Sequence, residues 1–245
     1  MRLTWPLIGR TQELRTIESA ISGTDVAGVL ISGAEGVGKS RIAREAMSAA
    51  ASRECTCRWV GGAVSARTVP LGALTEWARS GVTDTVQLVR DAIESLTAAD
   101  AGPTVVVGVD DVHLLDDLST FVIGQIVQRG AAKAVLTVRD REPVPAAVQE
   151  IWKLARFDRI ALKPLSLNEA TALLATTLGA SLDPHDARRL WTLTGGNALY
   201  LRTIVEQELA DGRLVHRHSY WRWTGEPTMP PGLVELVLQV SIDVA

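Results

Sequence analysis

Cysteine, lysine and long hydrophobic runs are all scarce in this chain of 245 residues. The two cysteines, Cys55 and Cys57, lie one residue apart. That spacing suits neither an ordinary disulfide nor a four-ligand zinc site, so they read as reduced thiols. The four histidines are scattered and add no metal-ligand spacing. No apolar stretch reaches the roughly 18–20 residues that span a bilayer. The opening Met1-Arg2-Leu3-Thr4-Trp5-Pro6 lacks the apolar core of a secretory signal. The expectation is a cytoplasmic protein with no membrane contact. Basic charge is not in excess either: 25 Lys and Arg against 28 Asp and Glu give −3, with a pI near 5.8. This argues against a strongly basic nucleic-acid-binding domain and leaves room only for a local patch. Only four of the bases are lysines, and one of them, Lys39, sits in the most informative loop of the chain.

The remaining composition is that of a folded protein, 47% hydrophobic and 22% charged. Its length fits one large domain or one domain with a small appendage. Leu14, Ile17 and Ile21 recur at helical spacing after Gly9-Arg10-Thr11. Val26–Ser32, Arg58–Gly61, Thr104–Val109, Ala134–Val138 and Arg159–Leu162 are short apolar runs that read as strands. Between them lie helical stretches: one after Ser40, one over 71–99 with a break near Gly81, one over Phe121–Arg129, and the stripe Val144, Val148, Ile151, Trp152. Strands apolar along their whole length and alternating with helices predict an α/β fold, with a parallel sheet covered on both faces. From Pro164 the character changes. Ser166 with Glu169 forms a capping box, Asp183-Pro184 starts a helix, and Gly195-Gly196 and Gly212 can close helices. Residues 1–163 therefore read as the α/β core and 164–212 as a helical subdomain. Residues 213–245 read as a hairpin (213–215 with 220–223) leading into an apolar helix after Pro230-Pro231-Gly232. That helix, with Leu233, Leu236, Val237, Val240 and Val244 on one stripe, is expected to fold back, pair with a second copy or promote aggregation.

Two short motifs carry chemistry. Gly33-Ala34-Glu35-Gly36-Val37-Gly38-Lys39-Ser40 fits G-x-x-x-x-G-K-[ST], between a strand and a helix. A loop that wraps a polyphosphate must aim several backbone N–H groups inward, and glycines clear that approach. The following helix points its positive dipole end at the phosphates. Lys39 can bridge β- and γ-phosphates, the Ser40 hydroxyl can bind Mg²⁺, and Arg41 follows in the same phosphate-binding segment. The second motif is the apolar run ending in Asp110-Asp111, a Walker B pattern. Asp110 is the expected Mg²⁺ ligand, and Asp111 is expected to orient or deprotonate an attacking water. Asp116 is expected to cap the following helix. Arg139 ends the next strand. If that strand neighbours the phosphate-loop strand, Arg139 faces the γ-phosphate and can report its presence.

Taken together, these residues resemble a known family. Leu7-Ile8-Gly9-Arg10-Thr11-Gln12-Glu13-Leu14 is similar to the opening motif of STAND-type signal-transduction ATPases of the AAA+ clan. The phosphate loop, Asp110-Asp111 with His113 and Asp116 following, and the Thr-x-Arg strand end at Thr137–Arg139 come in the family order. Leu165-Ser166 with Glu169-Ala170 resembles the entry to its helical lid, and Gly195-Gly196-Asn197-Ala198-Leu199 its G-N-P-L turn, with Ala198 in place of Pro. The likeness is to the ATPase module of large LuxR-type transcriptional regulators. It implies ATP with Mg²⁺, adenine held between the Gly9-Arg10 segment and the lid, and a slow switch. It also implies DNA contact only through a helix-turn-helix not present in this sequence. Two other readings share the phosphate loop: an origin-recognition-like AAA+ ATPase that binds DNA directly, and a small-molecule kinase. The pI opposes the first; the double acid and the helical lid oppose the second. Arg213, Arg217 and Arg222 with His216 and His218 form the most basic patch. Trp221 and Trp223 alternate beside it and read as packing groups, as do Trp152 and Trp191 on apolar helix faces.

Overall fold

The computed structural model describes residues 3–78, 84–100, 102–140 and 142–224. They divide into two compact units. The core unit is Arg10–Glu35 with Lys39–Leu162; the helical unit takes the described residues of Met1–Gly9, Gly36–Gly38 and Lys163–Ala245.

The core unit alternates helices and strands: α1 (Thr11–Ser22), β1 (Gly28–Gly33), α2 (Lys39–Ala51), β2 (Thr56–Gly61), α3 (Thr85–Thr97), β3 (Val105–Asp110), α4 (Asp117–Gln128), β4 (Lys133–Arg139), α5 (Ala146–Leu154) and β5 (Phe157–Ala161). The five strands are all parallel, in the order β2-β3-β4-β1-β5. This is the α/β fold with a parallel sheet that the sequence predicts, and the strand runs show why it forms. Leu30, Val107, Val109, Leu136 and Val138 point into one buried cluster with Ile123, Ile126 and Leu96. Their neighbours Val29, Ile31, Val106 and Val135 are equally buried. They point to the opposite face, because side chains alternate along a strand. A strand that is dry on both faces must be apolar throughout. Gly108 leaves room for the side chains packed on the sheet: a Cβ there would lie 2.3 Å from Met47 Sδ.

The expected helix over 71–99 is shorter than its periodicity suggests. Residues 72–74 form only a single 3₁₀ turn, and α3 starts at Thr85, capped by Asp84. Gly81 lies outside the described residues. Leu71, where the expected helix would open, is buried and left-handed (φ 55°). Its N–H is drawn to Asp116 Oδ1 at 2.9 Å. The same carboxylate caps α4, accepting from Ser119 N–H (3.0 Å) and from the Ser119 hydroxyl. The predicted capping role of Asp116 is thus met, with a tertiary anchor added that periodicity could not reveal.

The helical unit contains α6 (Leu167–Leu178), α7 (Pro184–Thr194), α8 (Ala198–Ala210) and an antiparallel hairpin of β6 (Leu214–Arg217) and β7 (Tyr220–Trp223). Ser166 and Glu169 form the reciprocal capping box, and Asp183 caps α7 with Pro184 in its first turn. Gly195 closes α7 with positive φ. Asn197 caps α8 by accepting from Leu199 and Tyr200 N–H. Leu173, Leu174, Leu190, Leu201, Ile204 and Trp223 form its core, with Leu3, Trp5 and Ile8 packed against them. Gly36 belongs here too, its carbonyl accepting from Leu199 N–H at 3.1 Å. Pro230-Pro231-Gly232 and the expected helix over 233–245 lie outside the described residues.

The basic hairpin is largely neutralised from within. Arg213 pairs with Glu208 (2.8 Å) and Asp211, and Arg222 with Asp183 (3.1 Å). Trp223 donates its indole N–H to Glu208, Trp221 to the Leu178 carbonyl and Trp191 to the Leu165 carbonyl, while Trp152 packs on the core cluster.

Asp116 gives a stability test. Burial alone would raise its pKa, but hydrogen bonds from Ser119 and from the Leu71 and Ala73 N–H groups outweigh it and hold the carboxyl below its ordinary value. Its contribution is therefore complete above the unfolded-state pKa and is lost as pH falls through the lower folded value. Asp116→Ala is expected to lower unfolding free energy by about 1–3 kcal/mol at neutral pH, because buried donors lose their acceptor. Urea denaturation checks it: the deficit should shrink as the pH is lowered below the carboxylate range.

Candidate functional site

The phosphate-loop segment runs from Gly33, the last residue of β1, to Lys39, the first of α2. Gly36 and Gly38 have φ of +76° and +106°, conformations that side chains other than glycine strain to adopt. At Gly38 an added Cβ would meet nothing within 4 Å, so the backbone borders open space at that point. Lys39 is buried, and its ammonium donates to the carbonyls of Gly33 and Ala34, at 2.9 Å each. Burial pulls its pKa below the usual lysine value. Asp111 opposes that pull, Arg139 adds to it, and Asp140 and Asp110 oppose it further. Val37 is buried and Glu35 half-exposed. Arg41 projects outward, 3.6 Å from Glu45 one turn along α2.

Strand order brings the acids to this loop. β4 lies between β1 and β3, so Gly33 sits opposite Arg139 while β3 delivers Asp110 on the other side. Ser40 Oγ donates to Asp110 Oδ1 at 2.7 Å, and so does Thr137 Oγ1. Asp111 is left-handed (φ 47°, ψ 53°), and its N–H donates to Thr137 Oγ1 at 2.8 Å. Its carboxylate pairs with Arg139 Nη2 at 3.2 Å. Arg139 Nη1 meets Glu142 (2.9 Å) and Glu35 (3.2 Å). Burial acts to lower the Arg139 pKa, but the hydrogen bond and charge of Asp111, with Glu35 and Glu142, raise it. His113 is buried behind the cluster, with Nε2 2.9 Å from Glu142 Oε2 but not aligned for a hydrogen bond. Burial lowers its pKa against the pull of Asp111 and Glu142, which favours the neutral ring at physiological pH.

The core unit therefore brings together Gly33, Ala34, Glu35, Lys39, Ser40, Asp110, Asp111 and Arg139. Gly9 packs instead in the helical unit, with φ +73° and a Cβ position only 2.3 Å from Glu169 Oε1. Arg10 is buried beside Glu13 (3.3 Å) at the start of α1. Sequence reasoning gave Glu142 no role and named Thr137 only as part of the Thr-x-Arg likeness. The available signal was Thr137 itself, the one hydroxyl in the otherwise aliphatic stretch Ala134–Val138.

Among the described residues, no group of three or more His, Cys, Asp or Glu is arranged to hold a metal by itself. The adjacent hard oxygens of Ser40 and Asp110 fit Mg²⁺, which takes one or two protein ligands and completes its shell with phosphate and water. The cation of Lys39, held at the Gly33 and Ala34 carbonyls, fits a polyphosphate.

The AAA ATPase domain family matches residues 6–138, so the chain belongs to that family. This membership implies nucleotide binding. Among solved structures the fold is similar to the Orc1 protein of Aeropyrum pernix in complex with DNA (TM-score 0.62, 17% identity, covering 89% of this chain and 64% of that one). It is also similar to Cdc6p of Pyrobaculum aerophilum (0.61, 15%, 86% and 65%). Domain III of the Thermotoga maritima replication initiation protein DnaA is another such structure (0.56, 13%, 88% and 94%). The chain thus spans just under two thirds of the two archaeal proteins. No curated protein sequence matches it. No helix among the described residues is long and apolar enough to cross a membrane.

Lys39→Ala is expected to weaken ATP binding at least about a hundredfold, since it removes a charge-assisted contact to phosphate. Calorimetry with a parallel thermal melt checks this: the affinity should fall while cooperative unfolding persists.

Proposed function

We propose that this AAA ATPase domain binds ATP with Mg²⁺ and acts as a nucleotide-controlled switch with slow hydrolysis, in a transcriptional regulator of the large LuxR type. The Arg139 clasp is the observation that carries the switch reading. Asp111, the group suited to orient water, is engaged by Arg139 at 3.2 Å, and the same guanidinium is held by Glu35 and Glu142. A γ-phosphate competes for that guanidinium through bidentate, charge-assisted hydrogen bonds. Drawing Arg139 to the phosphate frees Asp111 for water. ATP and ADP then differ at this cluster, and such a differential interaction is what shifts a conformational equilibrium. Lys39 exchanges its two carbonyl acceptors for phosphate oxygens, and the loop backbone supplies N–H donors. Ser40 and Asp110 hold Mg²⁺, which neutralises charge on the phosphate oxygens when bound. The motifs from Leu7-Ile8-Gly9-Arg10 to Gly195-Gly196-Asn197 support the regulator assignment. In this reading DNA contact belongs to a helix-turn-helix outside this sequence, and the module's direct ligand is adenine nucleotide, with self-association open to it.

A second reading, an origin-recognition-like ATPase that binds DNA itself, is favoured by the likeness to Orc1, Cdc6p and DnaA. At 13–17% identity that likeness supports the fold alone. The internal pairing of Arg213 and Arg222 speaks against the hairpin as a DNA contact.

Two substitutions separate the roles. Arg139→Ala should reduce the preference for ATP over ADP about tenfold or more, because only ATP offers the γ-phosphate. An equal loss for both nucleotides would refute the sensor role. Asp111→Asn should keep MgATP affinity while the single-turnover hydrolysis rate falls about a hundredfold or more; an unchanged rate rejects its assignment. Asp110→Asn should instead weaken the Mg²⁺-dependent part of binding. A titration with duplex DNA at low salt tests the second reading, which requires saturable binding by this chain alone.

A further inference from the structure

The ladder between β3 and β4 ends at Val109 opposite Leu136, one step before the acids. The next residue of β4 is Thr137, which is fully buried. Where the backbone pairing stops, its side chain takes over. Thr137 Oγ1 accepts from Asp111 N–H at 2.8 Å and donates to Asp110 Oδ1 at 2.7 Å. The direction of both bonds is unambiguous. An amide N–H can only donate, so the hydroxyl oxygen is the acceptor there and its single proton goes to Asp110. On its other side, the backbone of Thr137 is in register with Ile31 of β1, two residues before Gly33. One residue thus refers both acids to the strand that carries the phosphate loop.

We propose that Thr137 is the positioning residue of the site, its hydroxyl fixing Asp110 and Asp111 relative to the phosphate loop. Two features show what it holds. Asp111 occupies left-handed backbone, which disfavours a residue with a Cβ and persists only where surroundings enforce it. Thr137 ties down its N–H, and the 3₁₀ turn Val112–Leu114 ties down its carbonyl, which accepts from Leu114 N–H at 2.8 Å. At Asp110, both Thr137 and Ser40 donate to Oδ1. That loading fixes the carboxylate plane and orients the group toward Ser40, its partner in holding Mg²⁺. Thr137 touches neither nucleotide nor metal in this role; it acts through the two acids. The Mg²⁺ part of the inference rests on the ATP reading above, whereas the placement of Asp111 does not.

The experiment uses the whole chain with Thr137→Val, which keeps the shape and removes the hydroxyl, and Thr137→Ser, which keeps the hydroxyl. Amide exchange at Asp111 is read by NMR without nucleotide. ATP affinity is read with Mg²⁺ and with EDTA. Thr137→Val should speed Asp111 exchange about tenfold or more, and should cut the factor by which Mg²⁺ tightens ATP binding about tenfold, as expected for losing hydrogen bonds to a charged group and a buried amide. Affinity in EDTA should stay at the wild-type value, and Thr137→Ser should restore both readouts. Wild-type exchange at Asp111 in Thr137→Val overturns the proposal. So does a serine variant as impaired as valine, or an equal loss of affinity with and without Mg²⁺. Faster Asp111 exchange in a protein whose wild type shows no Mg²⁺-dependent ATP affinity upholds the placement of Asp111 and refutes the nucleotide reading instead.

Discussion

Six consecutive registers, from Gly28 opposite Ala134 to Gly33 opposite Arg139, bind the phosphate-loop strand to β4, and the site is assembled around that pairing. A parallel sheet admits such a neighbour only if the intervening chain can cross over and both strands can be buried on two faces. Leu30 and Leu136 on one side, with Val29, Ile31 and Val135 on the other, meet the second condition. Because β4 separates β1 from β3, the acids ending β3 face the loop across Thr137 and Arg139. The chemistry then stands beyond the carboxyl ends of the strands, where the order of a doubly wound sheet leaves a crevice.

Charge balance at this crevice is set by one guanidinium among three carboxylates. Glu35 comes from the loop, Asp111 from the end of β3 and Glu142 from beyond β4. Each is a poor neighbour for phosphate taken alone, and Arg139 is what makes their approach tolerable. Burial lowers the His113 pKa behind the same group and disfavours a further cation beside Arg139 and Lys39. On the proposed reading, an incoming anion competes with the acids for the donors of Arg139.

The fold was legible where physics is local. Apolar runs predicted β1, β3 and β4, because burial on both faces leaves no polar positions to confuse the pattern; the edge strands β2 and β5, part-exposed and carrying Arg58, Asp158 and Arg159, showed only over 58–61 and 159–162. Caps predicted the starts of α6 and α7, because Ser166 and Asp183 bond within their own turns. Glycine spacing marked the phosphate loop, since positive φ at Gly36 and Gly38 is a property of single residues. Non-local terms were not legible. The stretch from Leu71 has helical periodicity, yet Leu71 is left-handed and its N–H is bonded to Asp116, 45 residues away. Glu142 drew no reading because His113, 2.9 Å from it, reaches it only once β3 and β4 lie side by side. Thr137 stood out as a lone hydroxyl in an aliphatic strand, but its two acceptor and donor partners depend on where a ladder ends, which no single segment encodes.

The two strands of the hairpin in the helical unit are fastened by pairs of different kinds. Glu208, 1% exposed, holds the Trp223 indole and Arg213, whose side chain is 30% exposed. Asp183 holds Arg222, whose side chain is 62% exposed. Dissolved salt screens the second pair more than the first, because screening requires ions to approach the charges. Rising ionic strength would therefore loosen the hairpin asymmetrically, freeing Arg222 while the Glu208 anchor still holds. A guanidinium neutralised in dilute buffer would be free of its carboxylate only in concentrated electrolyte, where its attraction for a polyanion is weakest.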